Sequence, residues 1–132
     1  MIFLETSFII NFHVPTIQNH ERAKEIWEDI KDEKKVISEM VTYETMTVLR
    51  KLKQDDKKLK DVYNELTTSK DILIFEDVIY YEKALEETFI NPIGFFDNLT
   101  RIVMLANGIK QIASFDLDFD LFTDIERIGQ KP

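Results

Sequence analysis

Four acids in this chain fall where chemistry would need them. Glu5 follows directly on the apolar run Met1 to Leu4 and precedes two hydroxyl residues, Thr6 and Ser7. Glu44 lies in "ISEMVTYETMTVL", with Met40, Val41, Thr47 and Val48 at its i−4, i−3, i+3 and i+4 positions. An acid on such a mostly apolar helical stripe must be paired, protonated or bound to a metal. Asp97 opens the amphipathic stretch "FFDNLTRIVMLA", where a helix N-cap would be the simplest account of it. Asp116 follows the apolar run "QIASF". The chain holds 25 acidic residues, so position alone sets these four apart. Brought together without a cation they would repel and raise one another's pKa. Mg²⁺ or Mn²⁺ would remove that conflict, since hard divalent cations take oxygen ligands. Such a site could activate water for attack on a phosphodiester.

The elements that would position these acids are readable from periodicity and punctuation. Residues 1–4, 36–38, 72–75 and 111–115 read as short buried strands, and a short fifth is expected near residue 127. Helices are expected at 7–12, where Pro15 blocks continuation, and at 18–31, 39–53, 55–68, 76–88 and 95–107. Gly108 is placed to end the last of them. Strands alternating with helices imply a doubly wound α/β domain: a parallel sheet of four to five strands with helices on both faces. In such sheets ligands bind beyond the carboxyl ends of the strands. Glu5 and Asp116 each sit at one of those ends. If strands one and four are neighbours, their acids meet.

Composition narrows the classes. At 132 residues, with 44% hydrophobic and 32% charged residues, the chain is expected to form one soluble domain spanning 1–132. It has no cysteine, which excludes disulfides and thiolate metal sites. No stretch approaches the length of a membrane span, and Glu5 interrupts the first apolar run too early for a signal peptide. A cytoplasmic setting with no membrane partner is therefore expected. The net charge of −8 argues against general nucleic-acid affinity through a basic surface. One segment runs the other way: "RKLKQDDKKLK", residues 50–60, carries Lys57, Lys58 and Lys60 close together. They are either a solvated corner between helices or a patch for RNA phosphates. "FDLDFD" is no calcium loop, because Leu121 and Arg127 stand where Gly and Glu are needed.

The order of the four acids resembles the PIN-domain proteins, the metal-dependent ribonuclease family that includes the VapC-type toxins. "IFLETSFI" resembles the family's opening strand, acid and hydroxyl pair. "ISEMVTYETMTVL" resembles its second acidic motif, "FFDNLTRIVMLA" its third, and "SFDLDF" its fourth. Glu5 stands where aspartate is usual. Asn98, Leu99 and Thr100 stand where small and apolar residues are usual.

The resemblance implies a PIN-like fold and an endoribonuclease that cuts RNA with water activated by Mg²⁺ or Mn²⁺. It implies Glu5, Glu44, Asp97 and Asp116 as catalytic acids, with Glu5, Asp97 and Asp116 on the metal. It implies Thr6, Ser7 and Ser114 as residues that orient ligands or waters. Among the toxins it further implies a homodimer and a cognate antitoxin protein. The competing reading is a PIN-like domain that keeps the fold and binds RNA or protein without cutting.

Overall fold

The computed structural model describes residues 1–129. Five parallel strands form one sheet: β1 (Ile2–Leu4), β2 (Lys35–Ser38), β3 (Ile72–Phe75), β4 (Gln111–Ala113) and β5 (Glu126–Ile128), in the order β3-β2-β1-β4-β5. Six helices connect them: α1 (Thr6–His13), α2 (His20–Ile30), α3 (Glu39–Lys51), α4 (Asp56–Thr68), α5 (Tyr81–Thr88) and α6 (Phe95–Ala106). The expected α/β class and the fifth strand are both present. The chain steps outward from β1 through β2 to β3, then returns across β1 to lay down β4 and β5. α1 packs on α2 and α3, and α3 on α4, while α5 packs on α6. The direction of travel reverses between β1 and β4, which makes that gap the topological switch point.

β1 and β2 are buried at every position, as strands covered on both faces must be. Phe3, Leu4, Phe8, Ile37, Leu49, Leu99, Met104 and Phe119 are among the largest fully buried side chains of the core. Pro15 ends α1 as expected: Val14 before it is extended, at φ −113°. Gly108 takes the left-handed conformation just past α6, at φ +70°.

Three local expectations need correction. The helix expected from residue 76 starts at Tyr81, after a 3₁₀ turn at Val78–Tyr80. Asp77 breaks it, because its buried carboxylate accepts the Met40 N–H at the start of α3 (2.8 Å) and the Tyr81 O–H (3.0 Å). The fourth strand ends at Ala113 rather than 115, since Ser114 to Asp116 turn into a 3₁₀ segment at Leu117–Leu121. The third helix ends at Lys51, and Lys53 lies outside it at φ +59°. There the Gln54 N–H closes the end by donating to the Leu49 carbonyl, 3.1 Å away.

Candidate active site

Glu5 leaves the carboxyl end of β1 and becomes the N-cap of α1, its Oε2 accepting from the Ser7 N–H. Across the switch point, Ser114 leaves β4 and donates from Oγ to Glu5 Oε1 at 2.9 Å. The same Ser114 Oγ accepts the Asp116 N–H at 3.0 Å. Ser7 Oγ accepts the Phe115 N–H at 2.8 Å and lies 3.2 Å from Ser114 Oγ. Two serines thus bind the loop after β1 to the loop after β4. Their backbones are tied as well, by the Glu5 N–H donating to the Ala113 carbonyl at 3.1 Å.

Glu44 enters from α3 and Asp97 from the first turn of α6. With Glu5 and Asp116 they line a single pocket of about 310 Å³, whose walls include Thr6, Ser7, Asn11, Ile10 and Val48. All four expected acids are therefore brought to one place, each from a different element. Asp97 is not the cap of α6; that position is Gly94, which offers no side chain.

The electrostatics follow from this crowding. Burial raises Glu5 to about 7, against hydrogen bonds from Ser7 and Ser114 that favour its charged form, and Glu44 adds repulsion. Burial raises Asp97 to about 8, with further repulsion from Asp116 and Glu5 and a hydrogen bond to Asp116. Among the described residues, none of the four acids forms an ion pair with a basic side chain. The Thr6 hydroxyl in the same pocket is buried without a hydrogen-bond partner. Carboxylates gathered without a basic partner are a donor set suited to a hard divalent cation.

Within the pocket the acids are not equivalent. Asp97, Asp116 and Asp118 each offer an oxygen within 4.8 Å of the other two. Asp118 was missed by sequence reasoning, although the alternation in "FDLDFD" was its signal. Its N–H donates to Asp116 Oδ1 at 2.9 Å, which places the two acids on one short turn. Glu5 lies outside this closest trio, with both of its oxygens engaged by Ser7 and Ser114.

The basic segment sits elsewhere. Lys58 donates from Nζ to the His13 carbonyl at 2.8 Å, fastening α4 to the end of α1 farthest from Glu5. Lys57 pairs with Asp61 at 2.8 Å on an exposed surface, and Lys60 is exposed. Beside Lys58, burial and the ammonium push His13 down to about 4, so its Nε2 meets Glu65 Oε2 at 3.5 Å as a neutral ring.

The PIN domain family model matches residues 2–124. No curated protein matches the chain. Among solved structures, the chain is similar to VapC20 of Mycobacterium tuberculosis, described as a sarcin–ricin loop cleaving toxin, at 23% identity and a TM-score of 0.82, covering 96% of this chain and 98% of that one. VapBC2 from Rickettsia felis, bound to a DNA fragment from its promoter, matches at 16% identity and a TM-score of 0.71, covering 98% of each chain. FitAcB from Neisseria gonorrhoeae matches at 19% and 0.67, covering 97% of this chain and 96% of that one.

Proposed function

The chain belongs to the PIN domain family, and on that premise we propose that it is a divalent-metal-dependent endoribonuclease, the toxin of a type II toxin–antitoxin pair. The observation that carries this reading is the meeting of Glu5, Glu44, Asp97 and Asp116 in one pocket without a basic partner among the described residues. Residues 1–132 act as one domain, with an antitoxin protein and a second copy of the chain as partners.

Asp97 and Asp116 would hold Mg²⁺ or Mn²⁺, directly or through water, and Asp118 is near enough to join them. Glu5 completes the site from the β1 side, directly or through water, with Ser7 and Ser114 fixing its carboxylate. Glu44 adds negative charge on the α3 wall. When bound, the cation supplies Lewis-acid polarisation of a phosphodiester and of the attacking water. Thr6 lines the pocket with a hydroxyl that is buried and free of protein partners, available to orient a ligand once the site is filled. Lys57 and Lys60 attract the RNA backbone; Lys58 holds α4 in place beside them.

Support for self-association is an exposed apolar patch on the 3₁₀ turn, α5 and the turn that follows it. Ile79, Phe89 and Ile90 are 72%, 74% and 77% exposed, and Val78 and Leu85 extend the patch.

The test is cleavage of a structured RNA pool in Mg²⁺ and in Mn²⁺, with a chelator and an Asp97→Asn protein as controls. Metal-dependent cutting that is lost in Asp97→Asn is expected. RNA retained on the wild-type protein but left uncut in both metals would replace the nuclease with a binding module.

A further inference from the structure

Asn98 is fully buried in the first turn of α6, where a carboxamide is costly unless every polar atom is bonded. Here its bonding is complete. Asn98 Oδ1 accepts from Asn91 Nδ2 at 2.9 Å, and Asn98 Nδ2 donates back to Asn91 Oδ1 at 3.1 Å. The same Nδ2 reaches the carbonyls of Ile93 (3.0 Å) and Gly94 (3.1 Å). Asn91 Oδ1 also accepts the Ile93 N–H at 2.9 Å. The two amides therefore clamp the whole turn 91–94 onto the helix that follows it.

We infer that the Asn91–Asn98 amide pair positions Asp97 in the acidic pocket, an assignment that rests on the nuclease reading above. A helix start is ordinarily fixed by a side-chain cap, and Gly94 supplies none. The pair takes over that task from the turn side. Adjacent helical residues point roughly 100° apart, so anchoring Asn98 toward the turn sets the direction in which Asp97 leaves the helix. Asp97 needs such a mount, since Asp116 and Glu5 both repel its carboxylate. Stability alone does not require an amide here. Replacing both members of a buried polar pair by apolar groups can be nearly neutral. What the amides add is a fixed orientation. Both are polar residues whose role becomes visible only once the turn is folded.

The experiment measures Mn²⁺ affinity, by the paramagnetic resonance of the free ion, for the wild-type protein, Asn91→Ala, Asn98→Ala and the double variant. Hydrogen exchange at the Ile93 amide reports whether the clamp has opened. The expected result for Asn91→Ala is a folded protein, faster exchange at Ile93 and Mn²⁺ binding weakened by about tenfold. The double variant should bind no more weakly than the worse single one. Asn91 is only half-buried, so its variant carries the test if Asn98→Ala fails to fold. Wild-type Mn²⁺ affinity in an Asn91→Ala protein whose Ile93 amide exchanges freely would reduce the pair to a fold staple and overturn the inference. A wild-type protein that binds no Mn²⁺ would overturn the metal-dependent reading itself, and this inference with it.

Discussion

Ser114 Oγ donates to Glu5 Oε1 across 2.9 Å, although the two residues stand 109 positions apart in the chain. The contact exists because β1 and β4 are neighbours, paired from Ile2 with Gln111 to Leu4 with Ala113. It makes the Ser114 hydroxyl, beside that of Ser7, a joint between the two loops that carry Glu5 and Asp116.

Removing that hydroxyl should therefore hurt the site more than the fold. Ser114→Ala frees Glu5 Oε1 and leaves the Asp116 N–H without its acceptor. Loss of a hydrogen bond that favours the carboxylate raises Glu5 further above its ordinary value. RNA cleavage is expected to fall by about 10- to 100-fold, the usual effect of losing a group that orients a metal ligand. The stability cost should be about 1–3 kcal/mol. Ser114→Thr, which keeps the hydroxyl, should retain most of the activity. Equal cleavage by Ser114→Ala and wild type would show that Glu5 does not depend on this bond.

The metal-free protein should lose stability as pH rises from 6.5 to 8. Glu5 and Asp97 titrate at about 7 and about 8 in the folded state, well above their ordinary values of 4.5 and 3.8. The folded chain then holds protons that the unfolded chain has released, so unfolding is favoured as pH climbs through the folded values. His13 works in the opposite sense, but only between about 4 and its ordinary 6.5, which is why the window starts there. The loss should be about 2 kcal/mol, read from urea midpoints in chelator. Added Mn²⁺ should stabilise more at pH 8 than at pH 6.5, because it meets charged carboxylates. A flat profile in chelator would mean that the acids are solvated or farther apart.

Much of this arrangement was legible in the sequence, and the exceptions share a cause. Glu5 and Asp116 could be placed because strand ends are marked by apolar runs, and Glu44 because an acid on an apolar stripe is conspicuous. What escaped was pairing across long separations. Asp77 looked like part of a helix because nothing local reveals that its carboxylate serves the start of α3, 37 residues earlier. Asp118 was lost among surface acids because its partner Asp97 is supplied by another element. Lys58 reads in the sequence only as one of a basic cluster, because the His13 carbonyl it bonds is 45 residues away.

Asp77 gives a direct test of such a contact. It is 1% exposed, accepts one bond from Met40 N–H and another from Tyr81 O–H, and places negative charge at the N-terminus of α3. Asp77→Ala leaves the half-buried Met40 N–H and the Tyr81 hydroxyl without their acceptor, and should cost about 1–3 kcal/mol. Tyr81→Phe removes only the second bond and should cost about 1 kcal/mol. Urea denaturation of both variants decides this. A smaller loss for Asp77→Ala than for Tyr81→Phe would mean that the α3 contact contributes nothing.

The apolar patch makes the last prediction, and it concerns assembly rather than chemistry. Ile79 on the 3₁₀ turn, Leu85 on α5, and Phe89 and Ile90 in the turn just after it are all half exposed or more. Leaving them in water forgoes roughly 25 cal/mol for each Å² of apolar surface that a partner could cover. A second copy would cover it symmetrically, with the same residues on both sides. Light scattering should therefore give about twice the 15.6 kDa chain mass. Phe89→Asp with Ile90→Asp should reduce this to one chain, since four carboxylates would then be buried at the contact. Both positions point outward, so the variant should keep its far-UV circular dichroism and thermal cooperativity. A wild-type protein that is monomeric at every concentration would remove the second copy and leave the patch to the antitoxin. A dimer that survives the double substitution would move the interface to another face.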